Sequence, residues 1–304
     1  MEEKIKKIKK LYIQKPESHK GQNGKVLIIG GSSLFHSASI WAAEVTSYFV
    51  DIVHYSSTIE NNKVFYSLKK KFQNGIIVKQ ENIPDYVKED DVILVGPGMI
   101  RTEKKIFNFQ FSIFNDLLKI KNEAEYTYCL TKYLIENFPE KKFVFDAGAL
   151  QMMDKEWLLK LKTPAIVTPH QNEFEQLFGQ SSFAKASEDR SIKNLNTDDK
   201  VKLVEETAKK YKVIILLKAI DDIISDGKTT EIIKGGNQGL TKGGTGDLLA
   251  GLTTSFYTRN RAFDSAVMAS WLLKKSAEAL YPKFGYWYNI DRLIEIIPQT
   301  FSKI

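Results

Sequence analysis

The chain has 304 residues, of which 43% are hydrophobic and 27% charged, as is usual for a globular protein with a substantial core. No run of about 20 apolar residues occurs, and the charged start lacks the apolar centre of a secretory signal, so we expect neither a membrane span nor export. Cys129 is the only cysteine, which excludes disulfides and thiolate zinc sites and favours a cytoplasmic protein. The net charge of +7 is spread over amphipathic stretches, which indicates solvated helix faces rather than a nucleic-acid surface.

Short β-branched runs recur along the first 219 residues, with helical patterns such as "ASIWAAEVTSYF" and "DDKVKLVEETAKKY" between them. Because the runs are continuously apolar, they indicate strands buried on both faces, as in parallel sheets covered by helices. The predicted strands occupy residues 25–31, 50–57, 74–80, 91–98, 142–148, 164–170 and 213–219. The sequence therefore predicts an α/β fold with a mostly parallel central sheet.

The pattern changes beyond residue 219. Two alternating runs flank Asp226 and Gly227 and predict a β-hairpin. From Gly246 onward the chain is mostly helical, with predicted helices in "DLLAGLTTSFY", "FDSAVMASWLLKKSAEALY" and "IDRLIEIIPQTF".

Two segments of the chain do not fit the alternation. Residues 101–141 are interpreted as an extended helical connection, and the polar residues 181–199 as a loose surface excursion. Neither contains a convincing linker or repeat. We therefore predict a single catalytic domain over residues 1–304, with residues 1–20 as an N-terminal extension or helix.

Polar or glycine-rich turns follow the predicted strands. In parallel α/β sheets, ligands bind beyond the carboxyl ends of the strands. The turns "GGSS", "GPGM", "DAGAL", "TPHQNE", "LKAIDD" and "GGTGD" would therefore build a single crevice.

Three familiar motifs are absent from these turns. The P-loop fails because "DIISDGKT" carries Asp222 where the first glycine should stand. The dinucleotide fingerprint fails at Arg101 in "GPGMIR", and no G-x-S-x-G nucleophile elbow occurs.

The stretch "GGTGDLLAG" can bind an anion without those motifs. Gly243, Gly244 and Gly246 would expose N–H groups ahead of a helix, for which Thr245 is the expected N-cap. A helix start carries unpaired donors and about half a positive charge, so it attracts phosphate. Asp247 would then face the phosphate, although an acidic residue in a first turn can also simply complement the helix dipole.

Three further polar residues, His170, Lys218 and Asp146, lie at the ends of predicted strands. Each could have a role in the crevice or a purely structural one. His170 could line the crevice or be an exposed turn histidine, and Glu173 follows it in a helix's first turn. Lys218 and Asp146 could face the same crevice or merely reach the surface where their strands end.

Read in order, the turns resemble one family. The sequence is similar to the ADP-dependent NAD(P)H-hydrate dehydratases, carbohydrate-kinase-related members of the ribokinase-like superfamily. The resemblance covers roughly residues 18–281 and rests on "SHKGQNGKVLIIGGSSLFHSAS", "DVILVGPGM", "VFDAGAL", "IVTPHQNEF", "VIILLKA" and "GNQGLTKGGTGDLLAG". It implies a ribokinase-like three-layer sandwich, with helices on both faces of the sheet.

The resemblance also implies a repair enzyme. Its substrates would be the hydrates NADHX and NADPHX, in which water has added across a ring double bond of the reduced nicotinamide. The hydroxyl would be phosphorylated by ADP or ATP with Mg²⁺, and phosphate would leave to regenerate NADH or NADPH. The sequence leaves open which nucleotide and which hydrate are preferred.

Site residues follow from matching positions in the family pattern. Asp247 matches the catalytic base, and the N–H groups of Gly243, Gly244, Thr245 and Gly246 match the anion hole. The segment Lys218, Ala219, Ile220, Asp221 and Asp222, together with Gly246, matches the nucleotide contacts. Positions that contact the hydrate are Ala38, Gly98, His170 and Asp247, and Glu173 matches a residue that organises Mg²⁺ through water.

The sequence departs from the family pattern at several positions. The second aspartate of the usual "DADAL" is Gly148 here, and "GPGLG" has become "GPGMI", which places Ile100 where a glycine is common. Lys242 stands where a small residue is common and could add positive charge near phosphate. Asp247 and its glycines are unchanged, so the reaction class is better supported than the details of substrate fit.

Two other functions remain open from the sequence. A small-molecule kinase acting on a thiazole or pyrimidine alcohol would use the same base and anion hole. A regulatory nucleotide-binding protein without catalysis is the other alternative, motivated by Gly148 and Ile100. The family also leads us to expect a homo-oligomer and an NAD(P)HX epimerase that acts as a separate chain, with no nucleic-acid or membrane partner.

Overall fold

One mixed β-sheet organises the computed structural model, which describes residue 12 and residues 14–102, 114–179 and 191–303. Its strands are β1 Lys25–Ile29, β2 Ile52–Ser56, β3 Gly75–Ile77, β4 Val92–Val95, β5 Lys142–Phe145, β6 Ile166–Val167, β7 Ile214–Leu217, β8 Asp222–Ser225 and β9 Thr230–Ile233. They are ordered β3-β2-β1-β4-β5-β6-β7-β8-β9, with β1 to β7 parallel and the last two antiparallel. The predicted parallel sheet is confirmed.

Helices cover both faces of this sheet. They are α1 Ser37–Thr46, α2 Ile59–Ser67, α3 Ile83–Glu89, α4 Phe114–Leu117, α5 Glu123–Asn137, α6 Ala147–Met152, α7 Gln171–Phe178, α8 Thr197–Tyr211, α9 Thr245–Tyr257, α10 Ala262–Phe284 and α11 Ile290–Phe301. Among these described helices, none combines the length and the hydropathy that crossing a membrane would require.

The two hydrophobic cores lie on opposite faces of the sheet. Val26 and Ile28 of β1 belong to the core under α1, α9, α10 and α11. Leu27 and Ile29 belong to the core under α3, α5, α7 and α8. Since successive side chains of a strand point to opposite faces, a continuously apolar strand feeds both cores. The predicted three-layer sandwich is confirmed.

The predicted hairpin is also confirmed. Its strands β8 and β9 pair antiparallel around Asp226 and Gly227. The Asp226 Oδ1 accepts the N–H groups of Lys228 (2.9 Å) and Thr229 (2.7 Å), and Gly227 has a φ of +80°. Because β8 also pairs antiparallel with β7, the hairpin extends the edge of the sheet.

Three predictions fall partly outside the described residues. For the segment 101–141, the described part holds α4 and α5, and residues 103–113 lie outside. For 181–199, helix α8 already begins at Thr197, and residues 180–190 lie outside. Residues 1–11 and 13 of the predicted N-terminal extension lie outside as well, so a single domain over 1–304 stays a prediction.

Candidate active site

The carboxyl ends of the parallel strands lie side by side. Ile29 of β1 pairs with Ser56 and with Val95, and Val95 pairs with Phe145. Phe145 in turn pairs with Val167 of β6. This register brings the turns after β1, β4, β5, β6 and β7 to one edge of the sheet, which we call the carboxyl edge.

The glycine loop before α9 is shaped by close packing. Gly244 has a φ of +102°, and a Cβ there would lie 2.7 Å from both the Trp41 ring and the Ile290 side chain. A Cβ at Gly243 would meet nothing within 4 Å. In the described part of the chain, no group accepts a hydrogen bond from the N–H of Gly243, Gly244 or Gly246. The loop therefore offers free donors at a helix start, as an anion site requires.

The prediction that Thr245 is the N-cap of α9 is wrong. The N-cap is Gly244, and Thr245 is the first residue of the helix. The Thr245 hydroxyl donates instead to the carbonyls of Leu240 (2.8 Å) and Lys242 (2.9 Å). The left-handed backbone of Gly244 turns the chain into the helix, so Thr245 ties the helix start back to the preceding turn.

Asp247 lies in the first turn of α9, and its surroundings raise the pKa of its carboxyl to about 7. Burial is the main cause, since it disfavours the charged form. The negative charges of Asp146 and Glu173 add to the rise, whereas the ammonium group of Lys218 opposes it. A carboxyl whose pKa lies near neutral pH is suited to accept a proton during a reaction.

Lys218 lies among three carboxyl groups. Its Nζ lies 2.7 Å from Asp146 Oδ1 and 3.7 Å from Glu173 Oε2. Burial lowers the pKa of Lys218, but the charges of Asp146, Glu173 and Asp247 outweigh burial, so its pKa is raised and the ammonium stays charged. A Cβ on Gly246 would lie 3.5 Å from this Nζ, which puts a fixed positive charge beside the glycine loop.

His170 and Glu173 form a capping box at the start of α7. The His170 Nδ1 accepts the N–H of Glu173 (3.1 Å), and Glu173 Oε2 accepts the N–H of His170 (2.9 Å). The second oxygen, Glu173 Oε1, accepts from Gln151 Nε2 (2.9 Å). The His170 ring remains 49% exposed and the carboxylate of Glu173 only 4%, so the ring can reach a ligand while Glu173 stays fixed beneath it.

Two predicted substrate residues, Ala38 and Gly98, are in direct contact. Gly98 has a φ of +73°, and a Cβ there would lie 2.8 Å from the Phe35 carbonyl and 3.1 Å from Ala38 Cβ. Ala38 lies in α1, one turn before Trp41, whose ring packs on Gly244. Helix α1 thus joins the Ala38 and Gly98 pair to the glycine loop.

The predicted nucleotide segment forms the turn between β7 and β8. Asp222 is buried, and it accepts the N–H of Ala219 (2.9 Å) and the hydroxyl of Ser270 (2.7 Å). Lys274 Nζ donates to the Ile220 carbonyl (2.6 Å), while the Ile220 side chain is 93% exposed. Asp221 lies half-buried between them. The Asp222 carboxylate therefore holds the turn together, and Ile220 is the side chain that it presents outward.

Two departures from the family pattern have structural explanations. A Cβ on Gly148 would lie 2.3 Å from the Met99 carbonyl oxygen, so the backbone before Ile100 occupies the space where the second aspartate of "DADAL" would begin. Lys242 Nζ donates to the Tyr286 carbonyl and lies 5.1 Å from the centre of the Tyr288 ring. Its ammonium group is thus held by the turn that follows α10, and an extra charge near phosphate stays a prediction.

Three residues that support this site were not predicted from the sequence. The Thr168 hydroxyl donates to Asp146 Oδ1 (2.8 Å), and Thr168 carried the same signal as Asp146, a polar residue at a strand's carboxyl end. Gln151 and Trp41 lie within helices, where nothing in their spacing marked them. Their roles depend on the tertiary structure, which brings Gln151 against Glu173 and Trp41 against Gly244.

Residues 26–299 match the model of a family described as NAD(P)H-hydrate dehydratase. The chain is 29% identical over 306 residues to the ADP-dependent (S)-NAD(P)H-hydrate dehydratase of Nitrosopumilus maritimus, covering 96% of this chain and 94% of that protein. It is 28% identical over 296 residues to the bifunctional NAD(P)H-hydrate repair enzyme Nnr of Archaeoglobus fulgidus, covering 95% of this chain. The chain spans only 53% of that relative and 51% of a second bifunctional one.

Solved structures share the fold. A ribokinase-like superfamily protein of Enterococcus faecalis superposes with a TM-score of 0.75 at 20% identity, over 99% of this chain and 94% of its own. An ADP/ATP-dependent NAD(P)H-hydrate dehydratase of Bacillus subtilis, co-crystallised with ATP and Mg²⁺, superposes with a TM-score of 0.71 at 19% identity, over 99% and 96%. The ribokinase-like fold is confirmed.

Proposed function

The chain belongs to the NAD(P)H-hydrate dehydratase family, and we propose that it dehydrates hydrated NADH and NADPH at the expense of ADP or ATP. The observation that carries this proposal is Asp247, a carboxyl with a pKa of about 7 beside a loop of free N–H donors. Phosphoryl transfer to a hydroxyl needs a base next to an anion hole, and Asp247 and the glycine loop would supply these two parts.

The proposed reaction has two steps. Asp247 accepts the proton of the hydrate's hydroxyl while that oxygen bonds to the terminal phosphorus, and the bond between this phosphorus and the nucleotide breaks. The carbon–oxygen bond then breaks, phosphate leaves with the electron pair, and loss of a ring proton restores the double bond. Phosphate is a far better leaving group than hydroxide, which explains why a kinase-like site would perform a dehydration.

The glycine loop is the proposed site of the phosphoryl group. The N–H groups of Gly243, Gly244 and Gly246 would donate to its oxygens, and they are fixed before the reaction by the packing of Gly244 on Trp41. The N–H of Thr245, the fourth expected donor, already donates to the Lys242 carbonyl (3.3 Å). The Lys218 ammonium adds positive charge on the side of Gly246. These groups would stabilise the charge that develops on the phosphoryl oxygens.

The two ligands would meet at Asp247. We propose that the turn of Lys218, Ala219, Ile220, Asp221 and Asp222, together with Gly246, contacts the nucleotide. We propose Ala38, Gly98 and His170 as contacts of the hydrate. In support, Ala38 and Gly98 touch each other, and His170 pairs with Lys218 through a parallel β-bridge.

Magnesium is the proposed metal ion, and when bound it would neutralise charge on the nucleotide phosphates. Both oxygens of Glu173 already accept hydrogen bonds, from Gln151 and from the His170 N–H. Such a carboxylate suits contact with Mg²⁺ through water, since this ion keeps several of its waters in nucleotide sites. Glu173 remains our proposed water-mediated metal residue.

The test is recovery of reduced nicotinamide. The protein is incubated with NADHX or NADPHX and Mg²⁺, with ADP and with ATP in separate reactions, and the absorbance of the reduced ring is followed. Recovery with either nucleotide supports the proposal. No recovery, together with stable phosphorylation of a thiazole or pyrimidine alcohol, would favour a kinase, and nucleotide binding without any turnover would favour a regulatory protein.

The proposal extends to the cellular setting. We propose the cytoplasm, where the Cys129 thiol, whose pKa burial raises to about 11, would stay reduced. We also propose an NAD(P)HX epimerase as the partner in the same repair sequence. Self-association stays a prediction that rests on the family resemblance.

A further inference from the structure

A second concave site lies at the opposite end of the sheet from Asp247. It is a cavity of about 570 Å³, bounded by the start of β5, the start of β7, the β8–β9 turn and the start of α10. We call it the amino-edge cavity. Its volume falls in the range of about 300–1,000 Å³ that is usual for small-molecule sites.

The walls of the amino-edge cavity are strongly basic. The cations that line it are Lys142, Lys209, Lys212, Lys228 and Arg261. The one carboxylate among its lining residues, Asp226, accepts two backbone N–H groups through its Oδ1. The cavity therefore carries a clear excess of positive charge.

Three of these cations have no acidic partner among the residues that the structure describes. Across the described ranges of the chain, none of the ion pairs involves Lys209, Lys212 or Lys228. Lys142 Nζ donates to the carbonyls of Tyr257 (3.0 Å) and Thr258 (3.2 Å), at the end of α9. Like charges held close together repel, so a bound anion would relieve this repulsion.

The backbone that presents these cations is rigidly packed. A Cβ on Gly227 would lie 2.5 Å from both the N and the Cα of Lys209, so the β8–β9 turn rests directly on the end of α8. Lys212 terminates α8 in the left-handed region, with a φ of +54°. The positions from which Lys209, Lys212 and Lys228 project are thus fixed relative to one another before any ligand arrives.

The floor of the cavity is apolar. Ala208, Val213 and Ile214 line it and are at most 5% exposed. The Tyr257 ring is buried there too, with Lys142 Nζ 4.9 Å from its centre. An apolar floor under a basic rim fits a ligand that joins several negative charges to a flat, uncharged part.

We infer that the amino-edge cavity binds a phosphate-bearing small molecule of nucleotide size, at a site separate from the dehydratase centre. The ligand's phosphates would lie between Lys209, Lys212 and Lys228. Its apolar part would pack against Pro164 and Phe263, apolar residues of the lining that keep accessible surface above the buried floor. Nothing in this cavity depends on the proposed dehydratase activity.

The test measures binding and its location with defined probes. Inorganic tripolyphosphate and ATP are titrated into the full chain by calorimetry, and amide hydrogen exchange locates the protected peptides. The test variant is K209E/K212E/K228E, in which all three side chains are exposed, so the fold should be unaffected. The matched control is K63E/K71E/K303E, which makes the same charge change at exposed lysines outside the cavity.

We expect both probes to protect residues 208–214 and 226–229 in the wild-type protein. The dissociation constant at this site should rise about tenfold or more in the test variant, and binding should weaken with added salt. The control variant should stay within about twofold of wild type.

Three results would overturn the inference. One is protection confined to the glycine loop, residues 243–248, which would mean that only the active site binds these probes. Another is equal weakening in both variants, which would show general charge attraction. The third is protection of the cavity by a single-stranded oligonucleotide but by neither small probe, which would assign the surface to a nucleic acid. Protection at 243–248 in addition to the cavity leaves the inference standing, because the two regions are read separately.

Discussion

At the scale of single residues, Asp247 shows a conflict between stability and chemistry. Its folded pKa of about 7 lies above the ordinary value of 3.8, so the ionised carboxylate is less favourable in the folded chain than in the unfolded one. The resulting loss of stability is absent at low pH, where the group is protonated in both states, and grows as the pH rises toward 7. The same burial gives Asp247 a proton affinity suited to a base.

Replacing Asp247 with asparagine should therefore separate activity from stability. We expect D247N to lower kcat by ~10²–10⁴-fold, because the positioned base is lost. At pH 8 its free energy of unfolding should rise by ~2 kcal/mol, and at about pH 3, below both pKa values, the gain should vanish. Steady-state kinetics and urea unfolding at the two pH values measure both effects. Unchanged turnover would refute the role of Asp247 as base.

The pH dependence of the wild-type enzyme follows from the same pKa. Because Asp247 must be ionised to accept a proton, kcat/KM should fall as the pH drops below about 7 and level off above it. Initial rates of reduced nicotinamide recovery between pH 5 and 9 give the profile, with circular dichroism at each pH as the control for folding. A flat profile down to pH 5 in a folded enzyme would contradict the assignment.

At the scale of elements, the glycine loop is held by α1 and α11. The ring of Trp41 and the side chain of Ile290 occupy the space beside Gly244, so the loop's conformation depends on two helices distant in sequence. Neighbouring Gly243 has open space around it. The two glycines are therefore expected to differ sharply in their tolerance of a side chain.

Alanine at these two positions provides a matched pair. G244A should destabilise the protein by about 2–4 kcal/mol and greatly reduce activity, because its backbone is left-handed and its Cβ would overlap two side chains. G243A keeps its N–H group and meets no neighbour, so its stability should stay within about 0.5 kcal/mol of wild type. Thermal unfolding and kinetics of both variants check this. Equal losses in both would mean that packing on α1 does not shape the loop.

Gly148 in α6 is another position at which a side chain should be costly, because α6 contacts the turn that follows β4. Because a Cβ on Gly148 would lie 2.3 Å from the Met99 carbonyl oxygen, G148A should cost ~1–3 kcal/mol of stability. The family's aspartate at this position, introduced as G148D, should cost at least as much. Chemical denaturation of the two variants measures it. If G148D were as stable as wild type, the Met99 backbone would have to be mobile.

At the scale of the whole molecule, the two edges of the sheet differ in charge. The carboxyl edge holds Asp146, Glu173 and Asp247 around Lys218. The amino edge concentrates lysines that form no ion pair within the described part of the chain. The parallel strands between them are buried in two separate cores. A ligand at either edge would therefore stabilise the molecule as a whole, since the folded sheet is common to both sites.

Nucleotide binding should be visible as a gain in stability. At about 100 times its dissociation constant, ADP should raise the free energy of unfolding by ~2.7 kcal/mol. D247N should retain this gain, because the proposed base acts on the hydroxyl and the proposed nucleotide contacts lie on the turn of Lys218. Thermal shift with and without ADP measures it in both proteins. Loss of the gain in D247N would assign Asp247 to nucleotide binding rather than to catalysis.

The sequence by itself determined the fold class and which residues end the strands at the carboxyl edge. Continuous apolar runs indicated the parallel strands, Asp226 and Gly227 indicated the hairpin, and the glycines before Asp247 indicated the proposed anion hole, because each is a local pattern. Tertiary structure decided what depends on neighbours distant in the chain. The N-cap at Gly244 follows from packing on Trp41, the engagement of Lys242 from Tyr286, and the basic cavity from a turn that meets a helix end, and no local spacing encodes such contacts.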